Sequence, residues 1–224
     1  LTRKFHPHNP EHVSYEMKST VFISKYLNLA DAVLDLAHEL THYVFRLPFN
    51  PYSVNFTVSE FIHNTIEGRG GEVDAYLMEC RVLSEIFPHN YSGRSSCSEV
   101  KDLSGNLSRE KGTRLFYRVG NYLKEIEEYF KSYDISSGEF SYMSKETPLF
   151  ISSTYGLPYP LAALKEYLVI MEKACENDLK RLAVVKQRVG RALASEGKNQ
   201  IEQYYREMKS SFGKRCHRFF VVQD

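Results

Sequence analysis

The sequence AHELTH at residues 37–42 places His38, Glu39 and His42 in the order H-E-x-x-H. On an α-helix the two histidines would project from one face, one turn apart. Two imidazoles at this spacing can bind a single Zn²⁺, and the intervening glutamate can act as general base on a water molecule beside the metal. The motif therefore predicts a zinc site that performs hydrolysis.

The residues around the motif have the apolar spacing of an α-helix. From Leu29 to Phe45, apolar side chains recur every three or four residues and form one stripe. Asn28 or Asp31 is suited to cap the amino end, and Pro48 ends the helix. The alternative is an ordinary amphipathic helix with two surface histidines. Because histidines in a largely buried helix need polar partners, the pattern favours metal ligands.

A catalytic zinc site needs a third protein ligand and leaves its fourth position to water. One class of zinc peptidases uses a histidine six residues after the motif, but that position is Pro48 here. The remaining common arrangement is a glutamate on a second helix. Glu72 opens a predicted helix, Glu72 to Phe87, directly after a glycine-rich turn. Glu67 and His63 are the alternative third ligands.

The motif and residues 72–75 together resemble the gluzincin branch of zinc metallopeptidases. The resemblance implies that His38, His42 and Glu72 bind one zinc ion per chain and that Glu39 is the catalytic base. It also implies that an edge strand beside the zinc pairs with an extended peptide substrate.

The sequence departs from this family at the residue that orients a ligand histidine. Thermolysin-like members carry an aspartate four residues after the ligand glutamate, and this chain has Tyr76 at that position. A phenol can still accept a histidine N–H bond, and Glu79 lies one turn beyond Tyr76 on the same helix face. Tyr76 and Glu79 are therefore the predicted partners that fix the histidine rings.

The expected fold class is α+β and mostly α: a zincin-like domain with a small N-terminal sheet, the motif helix, a second ligand-bearing helix and a helical C-terminal part. We expect one domain over residues 1–224. Within it, residues 1–13 are a polar arm, 14–87 the zinc-site core, and 88–224 a loop with a mainly helical remainder.

The β-prone residues 19–24, preceded by 15–17, predict a strand directly before the motif helix. Apolar spacing predicts most of the other elements to be helices. The expected elements are helices over 60–67, 113–131, 161–194 and 199–210, a surface loop over 88–112, and a final strand or docked segment over 219–222.

Several downstream side chains are candidates for stabilising the oxyanion that develops during amide hydrolysis. Many zinc peptidases use a tyrosine or histidine for this purpose. Tyr155, Tyr159 and His217 are the candidates here, and the alternative for each tyrosine is a packing role.

The four cysteines allow three disulfide pairings. The pairing of sequence neighbours, Cys80 with Cys97 and Cys175 with Cys216, is the one we favour. It predicts an exported protein, secreted or periplasmic, whereas four free thiols would indicate a cytoplasmic one.

Composition limits the expected partners. The formal net charge of +1 does not favour nucleic acid, and the chain has no apolar run long enough to span a membrane. The predicted partner is a protein or peptide substrate, and the predicted activity is that of a zinc peptidase. The alternatives are a catalytically silent zincin-like binding module and an amidase that acts on cell-wall peptides.

Overall fold

The structure is a computed structural model that describes residues 1–53, 55–86, 96–191 and 196–219. It is mostly helical, with helix at 58% and one small antiparallel sheet. The strands are β1 (Thr2–His6) and β2 (Asn9–Glu16). The α-helices in these described ranges are α1 (Leu29–Phe45), α2 (Val58–Ile66), α3 (Glu72–Ile86), α4 (Arg109–Phe116), α5 (Leu123–Ser132), α6 (Tyr159–Arg191) and α7 (Glu196–Cys216).

The chain forms two compact units. One unit contains residues 1–18, 49–56 and 166–224, and the other contains residues 19–48 and 57–165. The single domain expected over residues 1–224 stays a prediction. The H-E-x-x-H motif and all of α3 belong to the second unit, which therefore contains the predicted ligands.

The amino-terminal sheet is a hairpin and not the expected polar arm. β1 pairs antiparallel with β2, from Thr2 opposite Glu16 to His6 opposite Asn9. The strand expected over residues 19–24 is absent, because within the described ranges β2 ends at Glu16 and residues 17–24 pair with no other strand. A β-prone composition does not make a strand without a partner, which is why this prediction was wrong.

A buried ion-pair cluster ties the hairpin to α6 and α7 within the first unit. Asp178 is 5% exposed and accepts hydrogen bonds from Arg3 and Arg215. The guanidinium of Arg3 also lies 3.7 Å from the ring centre of Tyr52. Two cations on one buried carboxylate compensate the charge that burial would otherwise penalise.

Both expected disulfides are present. Cys80 pairs with Cys97 and Cys175 pairs with Cys216, which confirms the sequence-local pairing. Disulfides persist in oxidising compartments, so two of them fit an extracellular or periplasmic location. None of the helices in the described ranges combines the length and the apolar content that crossing a bilayer requires.

The second unit is built around the packing of α1 on α3. Its core includes Phe61, Ile62 and Ile66 of α2 and Val73 of α3, all of which are at most 1% exposed. The face of α1 that meets α3 carries the buried Leu34 and Thr41. The apolar stripe expected to be buried is largely exposed instead; its exposed members are Leu29, Leu36, Leu40, Val44 and Phe45.

The long helix expected over residues 113–131 is broken into α4 and α5. Gly120 lies at the break with a φ of +57°, a conformation that glycine adopts without strain. Its N–H donates to the carbonyl of Glu146, and the N–H of Val119 donates to the carbonyl of Ser144. These hydrogen bonds to residues 144 and 146 replace the backbone hydrogen bonds that would continue the helix. The apolar spacing continues through the break and therefore did not reveal it.

The remaining helices follow the predictions with shifted ends. α2 starts earlier than expected, at Val58, because the hydroxyl of Thr57 caps it by accepting from the N–H of Glu60. α3 starts at Glu72 as predicted. Two stretches that carry predictions lie outside the described residues. They are positions 87–95, which include the amino-terminal part of the predicted loop, and positions 220–222 of the predicted tail.

Candidate metal centre

Two helices bring the predicted ligands together. Asn28 caps α1 by accepting the N–H of Asp31, which fixes where the helix starts and therefore which face carries His38 and His42. That face meets the first turn of α3, where Glu72 is the first residue. Among the described residues, His38, His42 and Glu72 are the group of side chains that can share one metal ion.

The distances between these three side chains fit a tetrahedral metal ion. The Nε2 atom of His38 lies 3.4 Å from Oε2 of Glu72, and Nε2 of His42 lies 3.5 Å from Oε1. Donors bonded to a tetrahedral zinc at about 2.0–2.1 Å are themselves about 3.3 Å apart. All the donor atoms lie within 4.8 Å of one another. Two imidazoles and one carboxylate therefore form a donor set that could hold one metal ion.

The second nitrogen of each ring faces an acceptor. The Nδ1 atom of His38 lies 3.5 Å from Oε2 of Glu79, and Nδ1 of His42 lies 2.8 Å from the carbonyl oxygen of Gly70. An acceptor at Nδ1 holds the proton on that nitrogen and leaves the Nε2 lone pair facing the shared site. Both rings are therefore oriented as metal ligands.

The charges at the site favour a cation. Burial alone would lower the pKa of His38, but hydrogen bonds and charges from Glu72 and Glu79 outweigh burial and raise this pKa to about 9. Burial opposes ionisation of Glu72 as well, yet the two histidines and Arg46 hold the pKa of its carboxyl well below its usual range. Without a metal, a proton on His38 supplies the positive charge that the carboxylates require.

Arg46 follows His42 by four residues and reaches the same carboxylate. One of its terminal nitrogens lies 3.2 Å from Oε1 of Glu72, and its Nε lies 3.2 Å from the carbonyl oxygen of Gly70. The same terminal nitrogen donates to the carbonyl of Thr65. Arg46 therefore fixes the orientation of the ligand carboxylate against the loop that precedes α3.

Tyr159 lies beside the Glu72 carboxylate, near Glu39. The hydroxyl of Tyr159 interacts with the Glu72 carboxylate, and burial together with the charges of Glu72 and Glu39 raises the pKa of Tyr159. The phenol therefore stays protonated and can donate a hydrogen bond. Of the three residues predicted to stabilise an oxyanion, Tyr159 is brought to the ligands. Tyr155 lies in the turn before α6, and His217 follows α7 in the first unit, so their roles stay predictions.

Tyr76 does not orient a histidine. Its ring is 8% exposed and packs edge-on against Phe150 and Phe116, with ring centres 4.6 and 6.1 Å away. The ring of Tyr76 is therefore part of the apolar core between α3 and these phenylalanines. The side chain next to His38 is that of Glu79. Of the two predicted orienting residues, Glu79 therefore lies at the site and Tyr76 in the core.

The alternative third ligands, Glu67 and His63, bind one another instead of the motif histidines. The Nδ1 atom of His63 lies 2.6 Å from Oε1 of Glu67, and the hydroxyl of the buried Tyr117 donates to the same oxygen at 2.9 Å. This pair is outside the metal-ligand group that Glu72 completes.

Sequence reasoning missed Arg46 and the carbonyl of Gly70. A weak signal existed for Arg46, because its spacing of four from His42 puts it on the same face of the helix end. For Gly70 the signal was the glycine-rich turn Gly68-Arg69-Gly70-Gly71, which indicates that the backbone can approach another element closely. Nothing in the sequence shows which carbonyl of that turn meets which histidine.

Comparisons of this chain with models of known protein families, with curated protein sequences and with solved structures find no significant match.

Proposed function

We propose that this protein is a zinc-dependent peptidase. The single observation that carries the proposal is the convergence of His38, His42 and Glu72, with both Nε2 atoms facing the carboxylate at 3.4 and 3.5 Å. In combination with Glu39 next to the first ligand, this donor set matches the gluzincin pattern that the sequence resembles.

The metal would be held by the two imidazoles and by the Glu72 carboxylate. When bound, zinc supplies a Lewis acid that polarises the scissile carbonyl and makes water acidic enough to be deprotonated near neutral pH. The carboxylate of Glu39 takes the proton from the attacking water. It then delivers that proton to the nitrogen of the leaving amine, so the bond between carbonyl carbon and nitrogen breaks without releasing a charged amide.

Tyr159 is suited to stabilise the transition state by hydrogen bonding. Its phenol keeps its proton because burial and the charges of Glu72 and Glu39 raise its pKa. A hydroxyl that lies against the ligand carboxylate can donate to the oxygen on which negative charge develops. Tyr159 therefore has the chemical properties that an oxyanion donor needs.

Cleavage of a peptide library by the zinc-loaded protein tests the proposal. We expect Glu39→Gln to retain zinc and to lose cleavage by about 10²–10⁴-fold, because only the proton transfer is removed. Glu60→Gln is the matched control, since Glu60 is an exposed acid in the first turn of α2 and we expect full activity. Equal cleavage by the parent and Glu39→Gln, or no cleavage by a zinc-loaded parent, would exclude the peptidase mechanism.

A further inference from the structure

We propose that a chain of contacts from Arg109 through Asp74 and Gly70 to His42 positions this metal ligand. We call these four residues the Gly70 network. The proposal rests on the metal site of the proposed function, and it requires zinc binding but no peptidase activity. It assigns Gly70, Asp74 and Arg109 as positioning residues that act on the metal through His42.

The first contact of the Gly70 network fixes the histidine tautomer. The carbonyl oxygen of Gly70 lies 2.8 Å from Nδ1 of His42, the shortest contact that either ligand ring makes with an orienting acceptor. A carbonyl can only accept, so it keeps the proton on Nδ1 and leaves Nε2 unprotonated toward Glu72. If the carbonyl moved away, Nδ1 would lose its acceptor, and the Glu72 carboxylate 3.5 Å from Nε2 would favour the proton on that nitrogen instead.

Only glycine allows the carbonyl to come this close. Gly70 has a φ of +68°, and a Cβ atom there would lie 2.5 Å from the backbone N of Arg46 and 2.7 Å from the carbonyl carbon of Phe45. Both distances are far below contact and involve backbone atoms at the carboxyl end of α1 and its cap residue Arg46, which cannot turn away. The turn before α3 therefore rests directly on the carboxyl end of the motif helix.

Asp74 holds this turn in place from α3. Its Oδ2 accepts the N–H of Gly70 at 2.9 Å, and the carbonyl of the same residue contacts His42. Its Oδ1 accepts from Nε of Arg109 at 3.0 Å. The two oxygens thus connect the backbone of the turn to the first residue of α4.

Arg109 also connects the Gly70 network to the end of α2. One of its terminal nitrogens donates to the carbonyl of Glu67, the residue that follows α2. Arg109 therefore joins Asp74 of α3 to the start of the glycine-rich turn. Because Arg109 is distant in sequence from the ligands, it can affect zinc binding only through the contacts described above.

A simpler role for Asp74 is that of a first-turn acid, which stabilises α3 by interacting with the helix dipole. That role predicts a loss of stability without any change at His42. The two roles are separated by zinc affinity and by the tautomer of His42, because a helix-dipole interaction changes neither.

Zinc affinity in Arg109→Ala and Arg114→Ala provides the first test. Both arginines lie on α4, pair with a carboxylate at 3.0 and 2.9 Å, and have side chains that are 50% and 61% exposed. We expect Arg109→Ala to weaken zinc binding about tenfold, measured by competition with a chromophoric chelator. We expect Arg114→Ala to stay within about twofold of the parent and Arg109→Lys to recover part of the loss.

The imidazole nitrogen NMR spectrum of the metal-free protein provides the second test. We expect His42 in the metal-free parent to carry its proton on Nδ1, beside the carbonyl of Gly70. We expect Asp74→Ala to show a mixture of both tautomers and to bind zinc about 10–100-fold more weakly. Glu60→Ala, which removes a first-turn acid from α2, is the control and should leave the tautomer unchanged.

Unchanged zinc affinity in Asp74→Ala and Arg109→Ala, with the Nδ1–H tautomer of His42 retained, would overturn the proposal while leaving the metal site intact. A parent protein that binds no zinc would instead remove the proposed function. The tautomer in the metal-free Asp74→Ala variant would still decide whether the Gly70 network positions His42.

Discussion

The Nδ1 atom of His38 lies 3.5 Å from Oε2 of Glu79, which follows the ligand Glu72 by seven residues, or two turns, on α3. One helix therefore supplies both a candidate metal ligand and the carboxylate that faces the ring of another candidate ligand. The acceptor comes from Glu79 because Tyr76, four residues after Glu72, is packed among aromatic side chains.

Replacing Glu79 by glutamine should weaken zinc binding about tenfold. The amide keeps the size of the side chain but removes the charge that favours Nδ1–H on His38. A chelator-competition titration measures the effect. Glu85→Gln is the control, because Glu85 is exposed on the same helix and pairs with Arg81 at 3.0 Å. A Glu79→Gln variant with the affinity of the parent would show that Glu79 does not orient His38.

Zinc affinity should rise with pH. The pKa of His38 is about 9 in the metal-free protein, so zinc must displace a proton at neutral pH. We expect the apparent association constant to increase about tenfold per pH unit from roughly pH 7 and to level off near the pKa of His38. Titrations with buffered zinc across this range measure the slope, and a constant affinity would contradict a protonated His38.

The stability of the metal-free protein should fall as pH rises, whereas its zinc affinity should increase. The folded-state pKa of His38 is raised above the ordinary 6.5, so protonated His38 stabilises the fold fully below about pH 6.5, and this contribution is lost as pH rises through about 9. Urea unfolding of chelator-treated protein should therefore give a lower free energy of unfolding at the alkaline end. In His38→Ala this part of the pH dependence should disappear.

Removing the Tyr159 hydroxyl should slow catalysis without releasing zinc. The phenol lies against the Glu72 carboxylate, and burial raises its pKa, so it remains a donor. We expect Tyr159→Phe to lower kcat by about 10²–10³-fold, the effect of deleting one oxyanion donor, and to keep the zinc content of the parent. Tyr155→Phe is the comparison; a larger loss of kcat there would move the oxyanion donor to Tyr155.

The motif helix and the start of α3 could be predicted because their signals are local. Asn28 as N-cap and the glycines before Glu72 mark where each helix begins, and those starts determine which side chains meet. The strand expected over residues 19–24 depended on a partner strand, which local composition cannot reveal. The break at Gly120 likewise depended on hydrogen bonds to Ser144 and Glu146, which are distant in sequence.

The group of His38, His42 and Glu72 was predictable, but the residues that contact it were less so. His38 and His42 follow from spacing alone, and Glu72 from its position at the start of a helix. The glycine-rich turn indicates a close backbone approach, but every residue has a carbonyl, so the sequence does not show that the carbonyl of Gly70 contacts His42. The side chain of Tyr76 was misassigned because its ring gains more from the aromatic core than from a histidine.

Opening the disulfide of α3 should destabilise the protein. Cys80 and Cys97 close a loop of 17 residues, for which the chain-entropy model gives about 3 kcal/mol. We expect Cys80→Ser/Cys97→Ser to lower the free energy of unfolding by about this amount in urea. An unchanged unfolding midpoint would mean that this link does not stabilise the native state.

The most direct test of the metal centre is the zinc content of the purified, reconstituted protein by mass spectrometry, beside His38→Ala and Glu72→Ala. The geometry of the three side chains predicts about one zinc per chain in the parent and a loss of zinc in both variants. No zinc in the parent, or zinc retained in Glu72→Ala, would contradict the site formed by His38, His42 and Glu72.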